Sequence, residues 1–471
     1  MERISTTDRE TNPAPMRPLT DSMAYSSSDE MMFGTALNPV ETKDGLTIGG
    51  GQVLPEIVPH PRPGSEQTLK TLLREFERAN QDALERCVTI GIPAIVIENE
   101  HVSQMTRHAD WGMEITAQTQ QQIESYKAKY GLQAALRATI ADIRKPGMVD
   151  MRESDRTQEI LDAFKACARH ADILSIESLG GKEISDYSII RNDLTGMLFA
   201  QAVLGARDMA WLWSHIVSIA NENGCIPGGD TDCAQANTAM FMAGGFISRD
   251  VSHTLATFCR AVSASRSLVA YEMGAIGPAK DCAYENPIIK AITGIPISTI
   301  GKTAACANMD LCGNLMAAVC DLWSNEAVEY HPMFGGSSVE VFTEILGYDV
   351  AAMNSAIQLG FQKEYQACLI NSDRYRSPQS FILCPDNAWA IGKAMVTNNA
   401  SCYTRARAAA LTCGELMLAD SNLHFTNFEK DALLEYMREL EALPDEEDDF
   451  IDRCLKRYGK VKGFKPASYG L

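Results

Sequence analysis

Short β-rich apolar runs alternating with segments of helical period predict an α/β fold built on a parallel sheet. The strand reading rests on the later half of Val88–Glu98, the alternating stretch Leu136–Ile143 and the short apolar run Ile173–Glu177. The placing of three polar residues predicts further that the sheet closes into a TIM-type (β/α)8 barrel. Glu177 closes its apolar run, and Cys233 and Cys282 each directly follow an aspartate in a Gly-rich stretch. They stand about fifty positions apart, one strand-plus-helix unit or slightly more per step. A parallel barrel brings the carboxyl ends of separate strands to one face, so residues this far apart in sequence can converge there.

Residues 1–30 are rich in Thr, Ser, Pro and charge and read as a mobile tail, with order beginning near Met31. An amino-terminal segment over 31–87 follows, packed on the barrel. In it Gly49-Gly-Gly51 has neither the Gly-Lys-Ser/Thr ending nor the Gly-x-Gly-x-x-Gly spacing of a phosphate-binding loop, which makes it a turn. Pro59–Gly64 is a stiff connection, and Leu69, Leu72, Leu73, Phe76 and Leu84 recur at the spacing of a core-facing helix over 66–87. The barrel core takes 88–345. Leu198–Trp213 and Ser265–Met273 are packing helices within it, the second delivering its chain end toward Cys282. Over 346–471 the β-rich runs become few, and Val350–Leu359, Arg405–Asp420 and Asn427–Glu441 form a flanking helical layer. Leu433, Leu434, Met437 and Leu440 share one face of the last of these, and the acidic run Pro444–Asp449 is a solvated turn or a helix start.

Composition narrows the function classes. The chain has 471 residues, 45% of them hydrophobic, enough for a sizeable core. Its 42 basic against 61 acidic side chains give a formal net charge of −19, which repels phosphate backbones and argues against nucleic-acid binding. No apolar run approaches the roughly 20 residues that span a bilayer. The first residues also lack the basic and apolar regions of a signal peptide, so a cytoplasmic protein is expected. Fourteen cysteines without short-spaced framework motifs fit a reducing compartment, where thiols stay free or bind metal.

Two thiolates and one carboxylate form a donor set for zinc, which in catalytic sites keeps three protein ligands and leaves its fourth position to water or substrate. The competing reading is that cysteine is usually a small buried hydrophobe, and spacing this wide is no zinc-finger pattern. Asp230, Asp232 and Asp281 beside the cysteines either orient ligands through hydrogen bonds or cap turns. Glu98, Glu100 and His101 follow another strand-like run, where they line the same mouth or are commonplace polar strand ends.

Three stretches carry a resemblance to a known family: Asn223-Gly-Cys-Ile-Pro-Gly-Gly-Asp-Thr-Asp-Cys233, Gly277-Pro-Ala-Lys-Asp-Cys-Ala-Tyr-Glu-Asn-Pro287 and Lys302-Thr-Ala-Ala-Cys-Ala-Asn-Met-Asp-Leu-Cys312. With Phe33-Gly-Thr-Ala-Leu-Asn-Pro-Val and Gly51-Gln-Val-Leu-Pro-Glu-Ile they make the chain, from about residue 24 to its end, resemble the methanol:corrinoid methyltransferase subunits of methylotrophic anaerobes. The resemblance implies one zinc per chain, held by Glu177, Cys233 and Cys282, with no catalytic group independent of those ligands. It implies that zinc polarises the methanol oxygen while the methyl group passes to a Co(I) corrinoid. The motif that binds a corrinoid base-off, Asp-x-His-x-x-Gly, has no match among the eight histidines. The nearest, Glu329-Tyr-His331-Pro-Met-Phe-Gly-Gly, has the wrong acid and glycine offset, leaving His331 an ordinary loop residue. A separate corrinoid protein is therefore the expected partner, docked over the strand carboxyl ends. Two copies of each chain, with this subunit as the central dimer of a heterotetramer, are implied as well. The alternatives are a zinc barrel taking another methyl donor or a thiol acceptor, and a non-catalytic subunit that only docks a corrinoid protein.

Overall fold

The computed structural model describes residues 19–244, 251–302, 312–329 and 331–471. Nine strands lie among them: β1 (Thr35–Glu41), β2 (Thr47–Gly50), β3 (Leu54–His60), β4 (Ala94–Glu100), β5 (Gln133–Ala141), β6 (Ile173–Glu177), β7 (Ile226–Asp230), β8 (Ser298–Ile300) and β9 (Leu322–Val328). β1 and β2 form an antiparallel hairpin, and the other seven make one sheet in the order β7-β6-β5-β4-β3-β9-β8, every pair parallel. Residues 276–279 join the two ends of that sheet. Ile276 N and Gly277 N donate to Pro227 O and Gly228 O of β7, while Ala279 exchanges hydrogen bonds with Pro296 and Ser298 beside and within β8. The eighth stave of the expected α/β barrel is this short irregular segment, which carries straight on into Cys282.

Alternation along each strand sends every second side chain into the lumen. The amino-terminal layer is apolar: Leu54, Val96, Ala135, Ile173, Ile226 and Leu322 pack with Val40, Leu46 and Ile48 of the hairpin, which plugs this end. Barrel lumens are ordinarily filled with branched apolar residues layer upon layer; here the next layer is charged. Arg137 Nε donates to Glu56 Oε1 at 2.8 Å and its Nη1 to Ser175 Oγ at 2.9 Å, and Glu56 also takes the Ser298 hydroxyl, all fully buried. Above it lie the strand ends with Glu100, Glu177 and Glu326.

The outward face of each strand packs on helices. Helix Leu69–Ile90 begins where Thr68 Oγ1 accepts the Thr71 N–H, and ends at Gly91 with φ 77°, a left-handed stop that glycine takes without strain. Among the helices, His253–Glu272 is buried on nearly every side. The expected carboxy-terminal layer is helical, from Ser338–Leu359 to Glu447–Tyr458, and the acidic run at 444–449 resolves as the start of that last helix, with Glu447, Asp448 and Asp449 in its first turn. Acidic side chains there meet the positive end of the helix dipole.

Two expected boundaries sit elsewhere. Of the tail expected over 1–30, residues 1–18 lie outside the described residues, but Tyr25 is buried and its carbonyl takes the Trp389 indole N–H at 2.9 Å, so packed chain begins before Met31. The barrel begins at Leu54 rather than near residue 88, because β3 is an inner strand of the sheet between β4 and β9. The prolines at 55 and 59 hid it: proline disfavours a strand in any sequence reading, yet β3 carries both with its remaining ladder bonds intact. No described helix is long and apolar enough to cross a membrane.

Candidate metal centre

β6 ends at Glu177, and the loop beyond it is fixed by backbone hydrogen bonds. Ser178 N donates to Asp230 Oδ1 at 3.0 Å, Leu179 N to Asp142 Oδ2 at 2.9 Å, and Gly181 N to the Tyr469 hydroxyl at 3.0 Å. β7 ends at Asp230, whose other oxygen accepts the Trp213 indole N–H at 3.0 Å, and Cys233 opens a π-helical turn, Cys233–Asn237, three residues later. β7 reads Ile-Pro-Gly-Gly-Asp because side chains do not fit. A Cβ on Gly228 would lie 2.8 Å from Ile173 and Ser175 atoms, and one on Gly229 would run into the Tyr271 hydroxyl. Cys282 follows the stave 276–279; its backbone N–H donates to Asp281 Oδ1 at 2.8 Å, and Asn286 Nδ2 holds the Lys280 carbonyl at 2.9 Å.

One buried helix braces all three loops. From His253–Glu272, Arg266 Nη2 donates to Ser178 O at 2.8 Å, Arg266 Nη1 donates to Thr231 O at 3.1 Å, and the Ser267 hydroxyl donates to Glu285 Oε1 at 2.5 Å. The loops after Glu177, before Cys233 and after Cys282 thus share a rigid support. The ligating atoms of Glu177, Cys233 and Cys282 all lie within 4.8 Å of one another, and the Cys282 thiol donates to Glu177 Oε1 at 2.7 Å. The structure therefore brings together the three residues that the sequence singled out, at the carboxyl end of the barrel.

The electrostatics of the cluster suit a cation. Burial pushes the Glu177 carboxyl up to about 7, with the Glu100 carboxylate adding to the effect and Lys280 opposing it. The hydrogen bond with Cys233, burial and the Glu177 charge push the Cys282 thiol far up. For Cys233 the bond with Cys282 pulls down, and burial and Glu177 outweigh it, leaving this thiol raised too. The carboxyl, an anion in water, and the two thiols, weak acids there, all hold their protons more tightly when crowded here. A dication bound here would replace those protons and offset the repulsion that opposes ionisation of the three groups. Two sulfurs and one carboxylate oxygen are donors that zinc accepts with a position to spare.

The flanking aspartates divide between the two readings. Asp230 ties down backbone, accepting from Ser178 N and Thr231 N. Asp232 takes the Gln201 amide and lies 3.5 Å from Arg266 Nε. Asp281 accepts from Cys282 N, from Lys280 Nζ at 2.6 Å and from Ser324 Oγ at 2.8 Å. Glu98 and Glu100 line the lumen beside Lys280, whereas His101 points outward with Nε2 3.6 Å from Cys167 Sγ. Burial drives the His101 pKa down to about 3. His331 is exposed in its loop. Cys225 donates to the carbonyls of Ala168 and Ala171, away from the centre, and Cys306 lies outside the described residues.

Sequence reasoning passed over Lys280, Arg266 and Arg137. Lys280 sits inside the Gly-Pro-Ala-Lys-Asp-Cys stretch itself, and Arg137 is a base in the middle of an apolar strand; either was a signal of a charged lumen. For Lys280, burial opposes the charge and Asp281, Cys282, Glu98 and Glu100 together outweigh it, holding the ammonium protonated.

Comparison with known proteins accounts for nearly the whole chain. Residues 18–470 match the family model described as methanol-cobalamin methyltransferase B subunit. A methanol–corrinoid protein co-methyltransferase of Methanosarcina barkeri (strain Fusaro / DSM 804) is 46% identical over 454 residues, 96% of this chain and 98% of that one. The crystal structure of a methanol:cobalamin methyltransferase complex from Methanosarcina barkeri contains a chain that superposes with a TM-score of 0.94 at 46% identity, covering 96% of this chain and 100% of that one. On the match of sequence and fold, the chain belongs to the methanol-cobalamin methyltransferase B subunit family of methyl-transferring enzymes.

Proposed function

We propose that this protein transfers the methyl group of methanol to the Co(I) corrinoid of a partner protein, and that Glu177, Cys233 and Cys282 hold one zinc ion per chain for that purpose. The observation that carries the reading is the convergence of these three side chains, within 4.8 Å, at the mouth of a barrel in a chain of this family. Hydroxide is a poor leaving group, so methanol gives up its methyl group only if the charge gathering on oxygen is stabilised. Zinc in this donor set supplies that Lewis acidity toward the methanol oxygen.

The chain's own residues do the rest. Cys233 and Cys282 bring negative charge and fixed direction, and Glu177 completes the set while donating less electron density than a third thiolate. Arg266 and Ser267 hold the ligand loops in register, so little reorganisation accompanies binding. The hairpin plug and the charged layer close the lumen from below and leave access from the strand carboxyl ends. A corrinoid protein docked over that mouth would exclude water from the reacting atoms. We assign the assembly two copies of each chain with this subunit at its centre, and a cytoplasmic setting.

The test is anaerobic mixing of purified protein, methanol and Co(I) cobalamin, following loss of the Co(I) absorbance. Methanol should react faster than methylated amines or methoxylated compounds offered in its place. Cys233→Ala and Cys282→Ala should lose metal and turnover together, while Cys225→Ala, Cys306→Ala and Cys312→Ala keep both. Normal zinc content in both ligand variants, or inert methanol beside a reactive rival donor, contradicts the reading.

A further inference from the structure

The Lys280 ammonium lies where the charged layer of the lumen meets the ligand cluster. It donates to Asp281 Oδ1 at 2.6 Å and stands 2.9 Å from Glu98 Oε1. It also stands 3.6 Å from Glu100 Oε2, 3.7 Å from Glu177 Oε1 and 3.9 Å from Cys282 Sγ, and it is fully buried. The one other lumen cation in these contacts, Arg137, pairs with Glu56 one layer below and lies 3.6 Å from Glu98 Oε2, touching neither Glu177 nor Cys282. The loop that places the ammonium is the loop that presents Cys282. Its backbone is pinned by Arg137 Nη1 on Pro278 O at 3.0 Å, by the Ala279 bonds to Pro296 and Ser298, and by Asn286 on Lys280 O. Movement of the charge relative to the thiol is therefore restricted.

We propose that Lys280 is a positioning residue of the metal centre: its ammonium holds Glu177 and Cys282 side by side as ligating anions and draws charge away from them, keeping a dication there electrophilic despite two thiolates. The inference rests on the reading that these residues hold a metal. Two thiolates and a carboxylate carry three negative charges to an ion of charge two, which blunts its Lewis acidity. A fixed positive charge beside two of those ligands offsets part of that donation, as groups around a metal's ligands commonly tune it. Lysine suits the place better than arginine, since a compact charge on a long stem fits among several acceptors where a planar fork would not.

Cobalt(II) substitution reads the effect on the ligands directly. The wild-type protein loaded with Co(II) should show a sulfur-to-cobalt charge-transfer band; its absence would refute thiolate ligation itself, and so the underlying metal reading rather than the role of Lys280. Lys280→Met should bind Co(II) with that band moved to longer wavelength, because the thiolate orbitals lose the stabilisation of the nearby positive charge. It should also transfer methyl groups more slowly at full metal occupancy. A fully loaded Lys280→Met protein with an unmoved band, even if less thermostable, gives the lysine a merely structural role and overturns the proposal. If the variant does not fold, the crystal structure of the zinc-loaded wild-type protein decides. Nζ within about 4 Å of the Glu177 carboxylate or Cys282 Sγ supports the role, and a side chain turned from both overturns it.

Discussion

At the scale of single residues, the centre is a balance between burying charge and pairing it. Glu177 sits where burial and Glu100 favour its neutral form, so its value as a ligand lies in the carboxylate that a cation draws out. Glu177→Gln keeps the shape and removes the charge, and zinc affinity measured by chelator competition should fall roughly 10-fold or more. Unchanged affinity and turnover would place the third ligand elsewhere. Deeper in the lumen, Arg137 and Glu56 form an ion pair with no exposure on either side. Arg137→Met would strand Glu56 beside Glu98 and Asp281, and breaking a buried pair from one side costs about 3–5 kcal/mol. Denaturant unfolding should show a loss of that size; a change within about 0.5 kcal/mol, typical of surface sites, would mean the pair is not buried as described. The three candidate ligands, which the structure brings within 4.8 Å of one another, were legible in the sequence, since cysteine after aspartate in two Gly-rich stretches is an unusual local signal. Lys280 and Arg137 signalled charge in the lumen, but their partners were not legible, because alternation along a strand shows which side a residue takes and not which residues meet across a barrel.

At the scale of elements, three loops from three barrel staves converge because one helix and the chain terminus hold them. Arg266 links the loop after β6 to the loop after β7, so Arg266→Met should lower metal retention although Arg266 touches no ligand. Zinc per chain after dialysis checks this, with full retention as the contrary result. Near the carboxyl terminus, the Tyr469 hydroxyl accepts the Gly181 N–H and donates to Glu183 Oε2 at 3.0 Å. Burial pushes the Glu183 carboxyl up to about 7. The folded chain therefore holds a proton that the unfolded chain has already lost, from the ordinary carboxylate range up to about pH 7. Its contribution to stability is present at the acid end and is lost as pH rises through that window. Glu183→Gln should flatten the fall in melting temperature between about pH 5 and pH 8; an unaltered slope would show that Glu183 does not titrate there. Strand β6 was readable residue for residue, being a short apolar run. β3 and β7 were not, as each carries proline or paired glycine for reasons of packing that propensity does not register.

At the scale of the whole molecule, the barrel is a vessel with a sealed base and a charged wall, its candidate metal ligands at the carboxyl-end rim. The hairpin closes the amino-terminal end with apolar side chains, so access to the candidate ligands comes from the strand carboxyl ends. The barrel class followed from alternation and from the spacing of three polar residues. The stave that closes it, 276–279, did not, because its pairing is made by a handful of backbone bonds in a stretch where glycine and proline follow the single β-former Ile276. The account rests on one claim above the others, that Glu177, Cys233 and Cys282 bind zinc. X-ray absorption at the zinc edge of the purified protein tests it most directly. The claim predicts about two sulfur neighbours at ~2.3 Å, with the remaining oxygen neighbours, the Glu177 carboxylate among them, at ~2.0–2.2 Å. A shell of oxygen and nitrogen alone, or of four sulfurs, would contradict it.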